Sequence, residues 1–339
     1  MEIKKTTGWQ DILIVAQCGK ECLHPVTLEL IGEAKKLGAK ASYRVHVVAA
    51  GGPGTARKAE KLLAYGVKNV YIYEEEALGD FRADIYANAI CDCIAKTRPS
   101  VVLIGATSLG RSLAPRLATR FRTGLTADCT ALDIKENGEL VQIRPAFGGN
   151  IMAKILISQC RPQFATIRYK VMDRAKMEGS VRGRLIRCEL PAEALRSRIE
   201  ILHTAPIPPA KSIEEEEILV VAGRGVKDEK GLRLVRELAE KLGGRIAYTR
   251  PMVEEGIGSA DCQIGLSGRT VKPRLIITCG VSGAIQFTSC MRDAECIVAI
   301  NSDPDALIFN IAHYYIVDDL YKVIPAMLQI MEEKQEAVI

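Results

Sequence analysis

The sequence predicts an α/β protein made of two doubly wound domains, and three observations lead to that prediction. Short apolar runs alternate with helical segments in the first half of the chain, and the same alternation restarts near residue 217. A proline-rich and acidic stretch separates the two halves. The 339 residues also exceed the ~100–200 residues of one ordinary domain. We expect an N-terminal α/β domain over residues 1–202, a linker over 203–216 and a parallel-sheet domain over 217–339.

The first half has the strand–helix alternation of a nucleotide-binding-like domain. The predicted strands are Ile12–Ala16, Arg44–Ala49, Val70–Tyr73 and Val101–Ile104, and the predicted helices are Pro25–Leu37, Ala56–Tyr65 and Ala83–Lys96. Because parallel strands need crossover connections, this alternation predicts a parallel sheet with helices on its faces. After Phe121 the pattern changes to strands without helices: Cys129–Lys135, Leu140–Pro145, Lys154–Ser158 and Phe164–Arg168. Asn137-Gly138 is a hairpin signal, so we expect a mixed or antiparallel end to this sheet.

The two halves meet at a stretch that reads as a linker. Residues His203–Lys211 contain three prolines, and the acidic run Glu214–Glu217, which we interpret as a solvated spacer, follows them. The second half then supplies strands and helices again. The predicted strands are Ile218–Ala222, Arg245–Tyr248, Leu275–Cys279 and Cys296–Ile300, and the helices are Gly231–Leu242, Ala284–Met291 and a last one from near Leu320 to about Met331.

The composition excludes several classes of protein. Apolar residues make up 48% and charged residues 26%, which is typical of a globular chain. The net charge of +5 comes without a dense basic block, so no nucleic-acid surface is expected, and no apolar run reaches the ~18–20 residues of a membrane span. Eleven cysteines follow a polar, charged N-terminus, which predicts free thiols in a reducing cytoplasm. Cys18, Cys22 and His24 lack the spacing of a metal site, so we expect no metal and no iron–sulfur centre.

Glycine and hydroxyl residues follow the strands of the second half, where open α/β sheets bind ligands. Gly280-Val281-Ser282-Gly283 joins a buried strand to a helix, which suits a phosphate because glycine lets the backbone approach and the helix start offers N–H groups. The spacing is not that of the dinucleotide fingerprint, so a plain turn remains an alternative. Gln263–Val271, Thr249-Arg250 and the strand-end pair Asn301 and Asp303 add polar groups, and together they indicate a nucleotide cofactor.

These residues resemble the alpha subunit of electron transfer flavoprotein. The matching stretches in the second half are Gly223–Gly225, Thr249–Pro251, Gln263–Lys272 (QIGLSGRTVK), Gly280–Gln286 (GVSGAIQ) and Ile297–Pro304 (IVAINSDP). In the first half they are Arg111–Thr130, Arg144–Gly149 and Arg161–Arg168. Several long motifs in the family's order make the resemblance specific over most of the chain.

The resemblance implies that the second domain binds FAD. Arg224 and Arg250 would lie by the isoalloxazine ring, with Ser267 near its reactive edge. The implied contacts are Arg224, Thr249, Arg250, Gln263, Ile264, Gly265, Leu266, Ser267, Ser282, Gly283, Ala284, Ile285, Gln286, Phe287, Asn301, Asp319 and Leu320, the last two with Asn301 at the adenosine end. Cations and hydroxyl donors suit this role, because reduction brings negative charge onto the flavin.

The resemblance also implies partners. The first domain would pack on a beta subunit in a heterodimer, while the FAD domain turns on the linker. By this motion the chain would pass single electrons between the beta-subunit flavin or NADH and an acyl-CoA dehydrogenase-type flavoenzyme. The family often has histidine where this chain has Phe287. Phe287 and the sequence Ala312-His313-Tyr314 resemble the NADH-linked branch that bifurcates electrons to ferredoxin. A classical, non-bifurcating electron transfer flavoprotein and a nucleotide-binding sensor without redox function remain alternatives.

Overall fold

The computed structural model describes residues 8–19, 22–146, 151–178, 183–205 and 212–336. These residues form two compact units, one with the described residues up to 146 and from 151 to 205, the other with those from 212 to 336. Within the described ranges, none of the helices combines the length and the apolar character that a bilayer-spanning segment needs. The predicted domain boundaries at 202 and 217 stay a prediction, and residues 206–211 of the expected linker lie outside the described residues.

The first unit contains ten strands and four α-helices among its described residues. The strands are β1 Ile12–Ala16, β2 Val45–Gly51, β3 Asn69–Glu74, β4 Val101–Gly105, β5 Leu125–Cys129, β6 Ala131–Ile134, β7 Leu140–Ala146, β8 Ile151–Leu156, β9 Gln163–Ile167 and β10 Arg184–Cys188. The helices are α1 Val26–Ala41, α2 Thr55–Glu60, α3 Ala83–Thr97 and α4 Ser108–Phe121. A parallel seven-stranded sheet has the order β10-β3-β2-β1-β4-β9-β5, and β6, β7 and β8 form a separate antiparallel sheet.

The antiparallel strands expected at this end of the unit are confirmed, but they form a separate sheet, and the seven-stranded sheet is parallel throughout. β6 and β7 form the expected hairpin, and Gly138 in its turn has φ +77°. β9, which we expected among the antiparallel strands, instead pairs in parallel with β4 and β5. All of its residues are buried, which is typical of a strand inside a parallel sheet covered on both faces.

Glu29 of helix α1 is a buried carboxylate that holds a neighbouring segment of the first unit. It is 1% exposed, and its Oε2 accepts a hydrogen bond from the backbone N–H of Lys170 at 2.9 Å. Burial raises the pKa of Glu29 from 4.5 to about 7, although the backbone N–H groups of Lys170 and Met172 and the charge of Arg174 oppose the rise. In the folded protein this carboxyl therefore takes up a proton more readily than in the unfolded chain.

We expect Glu29 to make the stability of the first unit depend on pH. A raised folded-state pKa favours folding below pH 4.5, and this contribution is lost as the pH rises through about 7. Glu29→Gln, which is neutral at every pH, should therefore gain stability relative to the parent protein as the pH rises from 4.5 to 7. Urea unfolding of both proteins across that range measures the difference. A difference that stays constant with pH would contradict the assignment.

The second unit is a single parallel sheet with helices on its faces, as the sequence predicts. Its strands are β11 Ile218–Ala222, β12 Arg245–Tyr248, β13 Leu275–Cys279, β14 Cys296–Asn301 and β15 Tyr314–Val317, in the order β12-β11-β13-β14-β15. The helices are α5 Glu229–Lys241, α6 Arg250–Glu254, α7 Ile285–Thr288 and α8 Leu320–Glu336. Helix α7 ends earlier than predicted, and the carbonyl of Cys290 just beyond it accepts a hydrogen bond from the backbone N–H of Val271 at 2.9 Å.

The acidic run before β11 is anchored to the second unit by ion pairs, whereas the sequence predicts a solvated spacer. Ile213 is 1% exposed and belongs to the core of this unit. Glu214 lies 3.7 Å from an Arg269 nitrogen, and Glu217 lies 3.3 Å from an Arg274 nitrogen. These arginines come from later in the sequence, so local composition could not reveal the pairing.

Candidate cofactor-binding site

A cleft of about 800 Å³ opens at the carboxyl edge of the sheet in the second unit. The loops that follow β11, β12, β13 and β14 all contribute to its lining. β12 lies on one side of β11, and β13 lies on the other. The direction in which successive strands are added to the sheet therefore reverses at β11. Open α/β sheets bind ligands at such a switch point, and the volume is in the range of cofactor sites.

Glycines allow the loops after β11 and β13 to meet at this switch point. Gly280 has φ +65°, and a Cβ on it would lie 2.7 Å from the Cα of Gly225. The backbone N–H of Gly225 donates to the carbonyl of Gly280 at 2.9 Å. Side chains at these two positions would push the loops apart, so glycine is required for the closed floor of the cleft.

Asn301 fixes the loop after β13 from the neighbouring strand. Its Nδ2 donates to the carbonyl of Val281 at 2.9 Å, and its Oδ1 accepts from the backbone N–H of Asp303 at 3.0 Å. Asn301, Val281 and Asp303 all line the cleft. The Asn301 side chain therefore shapes the wall through two loops at once, in addition to any contact with a ligand.

Thr249, at the end of β12, tests whether this cleft fits a polar cofactor. The residue is 7% exposed and lines the cleft, and its Oγ1 is buried without a hydrogen-bond partner among the described residues. Buried hydroxyls are nearly always hydrogen-bonded in native proteins. A polar atom of a bound group would satisfy the Thr249 hydroxyl, so the residues present fit a polar ligand.

We expect Thr249→Val to separate cofactor affinity from the stability of the apo-protein. Valine keeps the shape and removes the unpaired hydroxyl, so the unliganded protein should be as stable as the parent or more so. FAD affinity should fall by about fivefold to tenfold, since one hydrogen bond contributes roughly 1 kcal/mol. Fluorescence titration of the apo-protein with FAD, beside urea unfolding, checks both. Equal affinity in the two proteins would show that Thr249 makes no contact with the cofactor.

The segment 263–269 forms one wall of the cleft as a compact loop. The backbone N–H of Ile264 donates to the carbonyl of Tyr248 at 2.9 Å, and that of Leu266 donates to the carbonyl of Gln286 at 2.9 Å. These bonds join the loop to β12 on one side and to α7 on the other. Ile264 and Leu266 thereby present an apolar surface to the cleft, and Ser267 presents a hydroxyl beside it.

Two arginines give the cleft its positive charge. Arg224 follows β11 and Arg250 begins α6, and both line the cleft. The Arg250 Nε lies 2.7 Å from Glu254 Oε1, one turn further along the helix. The charge of Arg250 is therefore shared between this carboxylate and the cleft.

The structure brings most of the predicted site residues together around the cleft. Those that line it are Arg224, Thr249, Arg250, Ile264, Gly265, Leu266, Ser267, Ser282, Ala284, Gln286, Phe287 and Asn301. Gly225, Pro251, Gly280, Val281 and Asp303 line it as well. The sequence places Gly280, Val281 and Asp303 at ligand-binding strand ends, but none of the five is among the implied FAD contacts. Gly225 and Pro251 are each next to a predicted contact that follows a strand, so the same strand-end signal could have found them.

The remaining predicted residues lie outside the lining of the cleft. Gln263 is buried behind Ser267, and Gly283 is in the loop after β13. Ile285 is 40% exposed at the start of α7. Asp319 accepts a hydrogen bond from the backbone N–H of Tyr321 at the start of α8, and Leu320 is buried in the core of the unit. The contacts of these residues with FAD stay predictions, including those of Asp319 and Leu320 at the adenosine end.

A parallel sheet with glycine loops, an unpaired hydroxyl and two arginines at its carboxyl edge defines a protein that binds a nucleotide cofactor. Comparison with protein families identifies the family to which the chain belongs. The model of the electron transfer flavoprotein domain matches residues 12–193, and that of the electron transfer flavoprotein FAD-binding domain matches residues 212–292. The chain belongs to the alpha-subunit family of electron transfer flavoproteins.

Individual relatives agree with the family. The chain is 49% identical over 310 residues to the LctC subunit of lactate dehydrogenase (NAD(+),ferredoxin) from Acetobacterium woodii, covering 91% of this chain and 74% of the relative. It is 42% identical over 324 residues to an electron transfer flavoprotein subunit alpha from Thermoanaerobacterium thermosaccharolyticum, covering 95% and 97%. The corresponding subunit from Clostridium acetobutylicum is 39% identical over 314 residues, covering 90% and 92%.

The chain is thus an electron-transfer protein that binds FAD and works as the alpha subunit of a heterodimer with an electron transfer flavoprotein beta subunit. When bound, FAD supplies the redox chemistry, and the protein supplies position and electrostatics. Arg224 and Arg250 would bring positive charge to the cleft, Thr249 and Ser267 hydroxyl groups, and the loop after β13 a close backbone surface. Phe287, 6% exposed in the same wall, offers an apolar surface without a hydrogen-bonding group.

Proposed function

We propose that this chain carries single electrons in a heterodimer that bifurcates electrons from NADH between ferredoxin and a dehydrogenase. The observation that carries this proposal is the 49% identity, over 91% of the chain, to a subunit whose name includes both NAD(+) and ferredoxin. Phe287 in the cleft wall supports it, because an apolar side chain leaves that side of the cofactor without a charged contact.

The dehydrogenase partner has two candidates. The family resemblance points to an acyl-CoA dehydrogenase-type flavoenzyme, which would reduce an enoyl-CoA. The similarity to the LctC subunit favours a lactate dehydrogenase instead. The residues that line the cleft do not distinguish these two partners.

The test is an anaerobic assay of the purified heterodimer with each dehydrogenase. We expect NADH to reduce ferredoxin only when the dehydrogenase substrate is also present, an enoyl-CoA in one case and pyruvate in the other. Electron transfer to the dehydrogenase without any reduction of ferredoxin would establish the classical, non-bifurcating function. A heterodimer that is colourless and does not take up FAD would exclude both the bifurcating and the classical function.

We also propose how the chain is placed in its assembly and in the cell. Residues 1–202 would pack on the beta subunit, with the FAD domain turning on residues 203–216. Lysine cross-linking of the heterodimer should then give beta-subunit links mainly from residues 1–202. A cytoplasmic location is supported by the eleven cysteines, all of them free thiols, as expected in a reducing compartment.

A further inference from the structure

A buried carboxamide lies directly behind the hydroxyl group that faces the cleft. Gln263 is 7% exposed, and its Nε2 is 2.9 Å from the Oγ of Ser267, which is exposed and lines the cleft. We propose that Gln263 is a positioning residue: by donating a hydrogen bond to Ser267, it turns the Ser267 hydroxyl proton into the cleft, toward the bound FAD. The inference rests on the proposed placement of Ser267 beside the flavin.

The argument follows from counting donors and acceptors. An amide NH₂ group only donates, whereas a hydroxyl has one proton and two lone pairs. When Ser267 Oγ accepts from Gln263, its own proton is not used in that bond and is available to the cleft. A fixed donor at this position favours negative charge, and negative charge is what reduction adds to the cofactor. Gln263 would thus raise the reduction potential without touching FAD.

The backbone of the loop keeps the two side chains in this arrangement. The N–H of Arg269 donates to the carbonyl of Gln263 at 2.7 Å, and the N–H of Gly268 donates to the carbonyl of Gly265 at 2.9 Å. A Cβ on Gly268 would lie 2.3 Å from the carbonyl oxygen of Gln263, so the loop closes this tightly only with glycine. Because the loop closes on itself, the Ser267 backbone cannot move away from Gln263 without breaking these bonds.

The placement also explains a difference from the sequence prediction. The family resemblance implies that Gln263 belongs to the cofactor site, yet it does not line the cleft. A role through Ser267 keeps Gln263 in the site without direct contact. Its burial fits this role, because a buried amide that lost its partner would be unfavourable.

Gln263→Glu reverses the hydrogen bond at constant shape. A carboxylate only accepts, so Ser267 must donate to it and turn its lone pairs to the cleft. We expect reduced FAD to bind about tenfold more weakly relative to oxidised FAD, which for one electron is a potential about 59 mV lower. An anaerobic dye-coupled redox titration of the purified heterodimer measures this shift.

The carboxylate also adds a charge, so the test is a double-mutant cycle with Ser267→Ala. A pure charge effect would be the same with and without the hydroxyl. We expect the shift caused by Gln263→Glu to be at least threefold smaller in the Ser267→Ala background. Equal shifts in the two backgrounds would overturn the proposal.

Gln263→Met provides a second cycle without any change of charge. It should lower the potential in the Ser267 background and leave it unchanged in the Ser267→Ala background, and it serves as the deciding cycle if the glutamate variant does not fold. Equal effects in both backgrounds would again overturn the inference. Failure of the parent heterodimer to bind FAD would instead refute the proposed function, so the two failures are distinguishable.

Discussion

Replacing Gly283 by alanine is expected to abolish tight FAD binding by the second unit. Gly283 has φ +89°, and a Cβ on it would lie 2.1 Å from the backbone nitrogen of Ile308. The left-handed conformation costs an alanine about 1–2 kcal/mol, and the overlap with a backbone atom adds roughly 1–3 kcal/mol. Because Ile308 is buried in the core, the loop that carries Ser282 must move instead. The backbone of this loop then no longer fits the cofactor.

Gly256→Ala is the matched control for this experiment. Gly256 lies in the same unit with φ +75°, and a Cβ on it would meet no atom within 4 Å. It therefore carries the cost of the backbone conformation without the overlap. The two variants should differ by more than tenfold in FAD affinity, measured by titration of the apo-proteins. Similar affinities for the two would mean that the loop after β13 does not hold the cofactor.

The strands buried inside the two sheets could be predicted from the sequence because their signal is local. β1, β4 and β13 are apolar runs that both faces of a sheet bury, and their bounds are almost those expected. Two of the edge strands lack this signal. β10 begins and nearly ends with arginine, and every residue of β15 is exposed, so both were missed. Only the pairing with β3 and β14 makes them strands.

The site shows the same division between local and long-range information. Thr249 and Ser282 follow strands, and the rule that ligands bind at strand ends placed them correctly around the cleft. The different positions of Gln263 and Ser267 depend on the turn at Gly265, whose φ of +142° no pattern in the sequence sets. Glu254 and Arg250 have the helical spacing of an ion pair, which the sequence shows. The influence of this pair on the charge of the cleft depends on the position of Arg250 in the cleft lining, which only the structure shows.

The second large expected effect is on the reduction potential of the bound FAD, and it involves the ion pair between Arg250 and Glu254. Arg250→Ala removes a positive charge from the cleft, so reduction of the cofactor becomes less favourable. The Arg250 side chain is 65% exposed, which places the effect near the lower end of the 1.5–3 kcal/mol of a charged hydrogen bond. We expect a reduction potential lower by about 60 mV for one electron. The heterodimer should retain FAD, because the other walls of the cleft are unchanged.

Glu254→Gln is the matched opposite change. It removes the carboxylate that competes with the cofactor for Arg250, so the potential should rise, by less than Arg250→Ala lowers it. In the Arg250→Ala background, Glu254→Gln should have little further effect, because the carboxylate then has no arginine to hold. Both shifts should shrink at high salt, since exposed charges are screened. Shifts of the same sign for the two single variants would show that Arg250 does not act on the flavin through its charge.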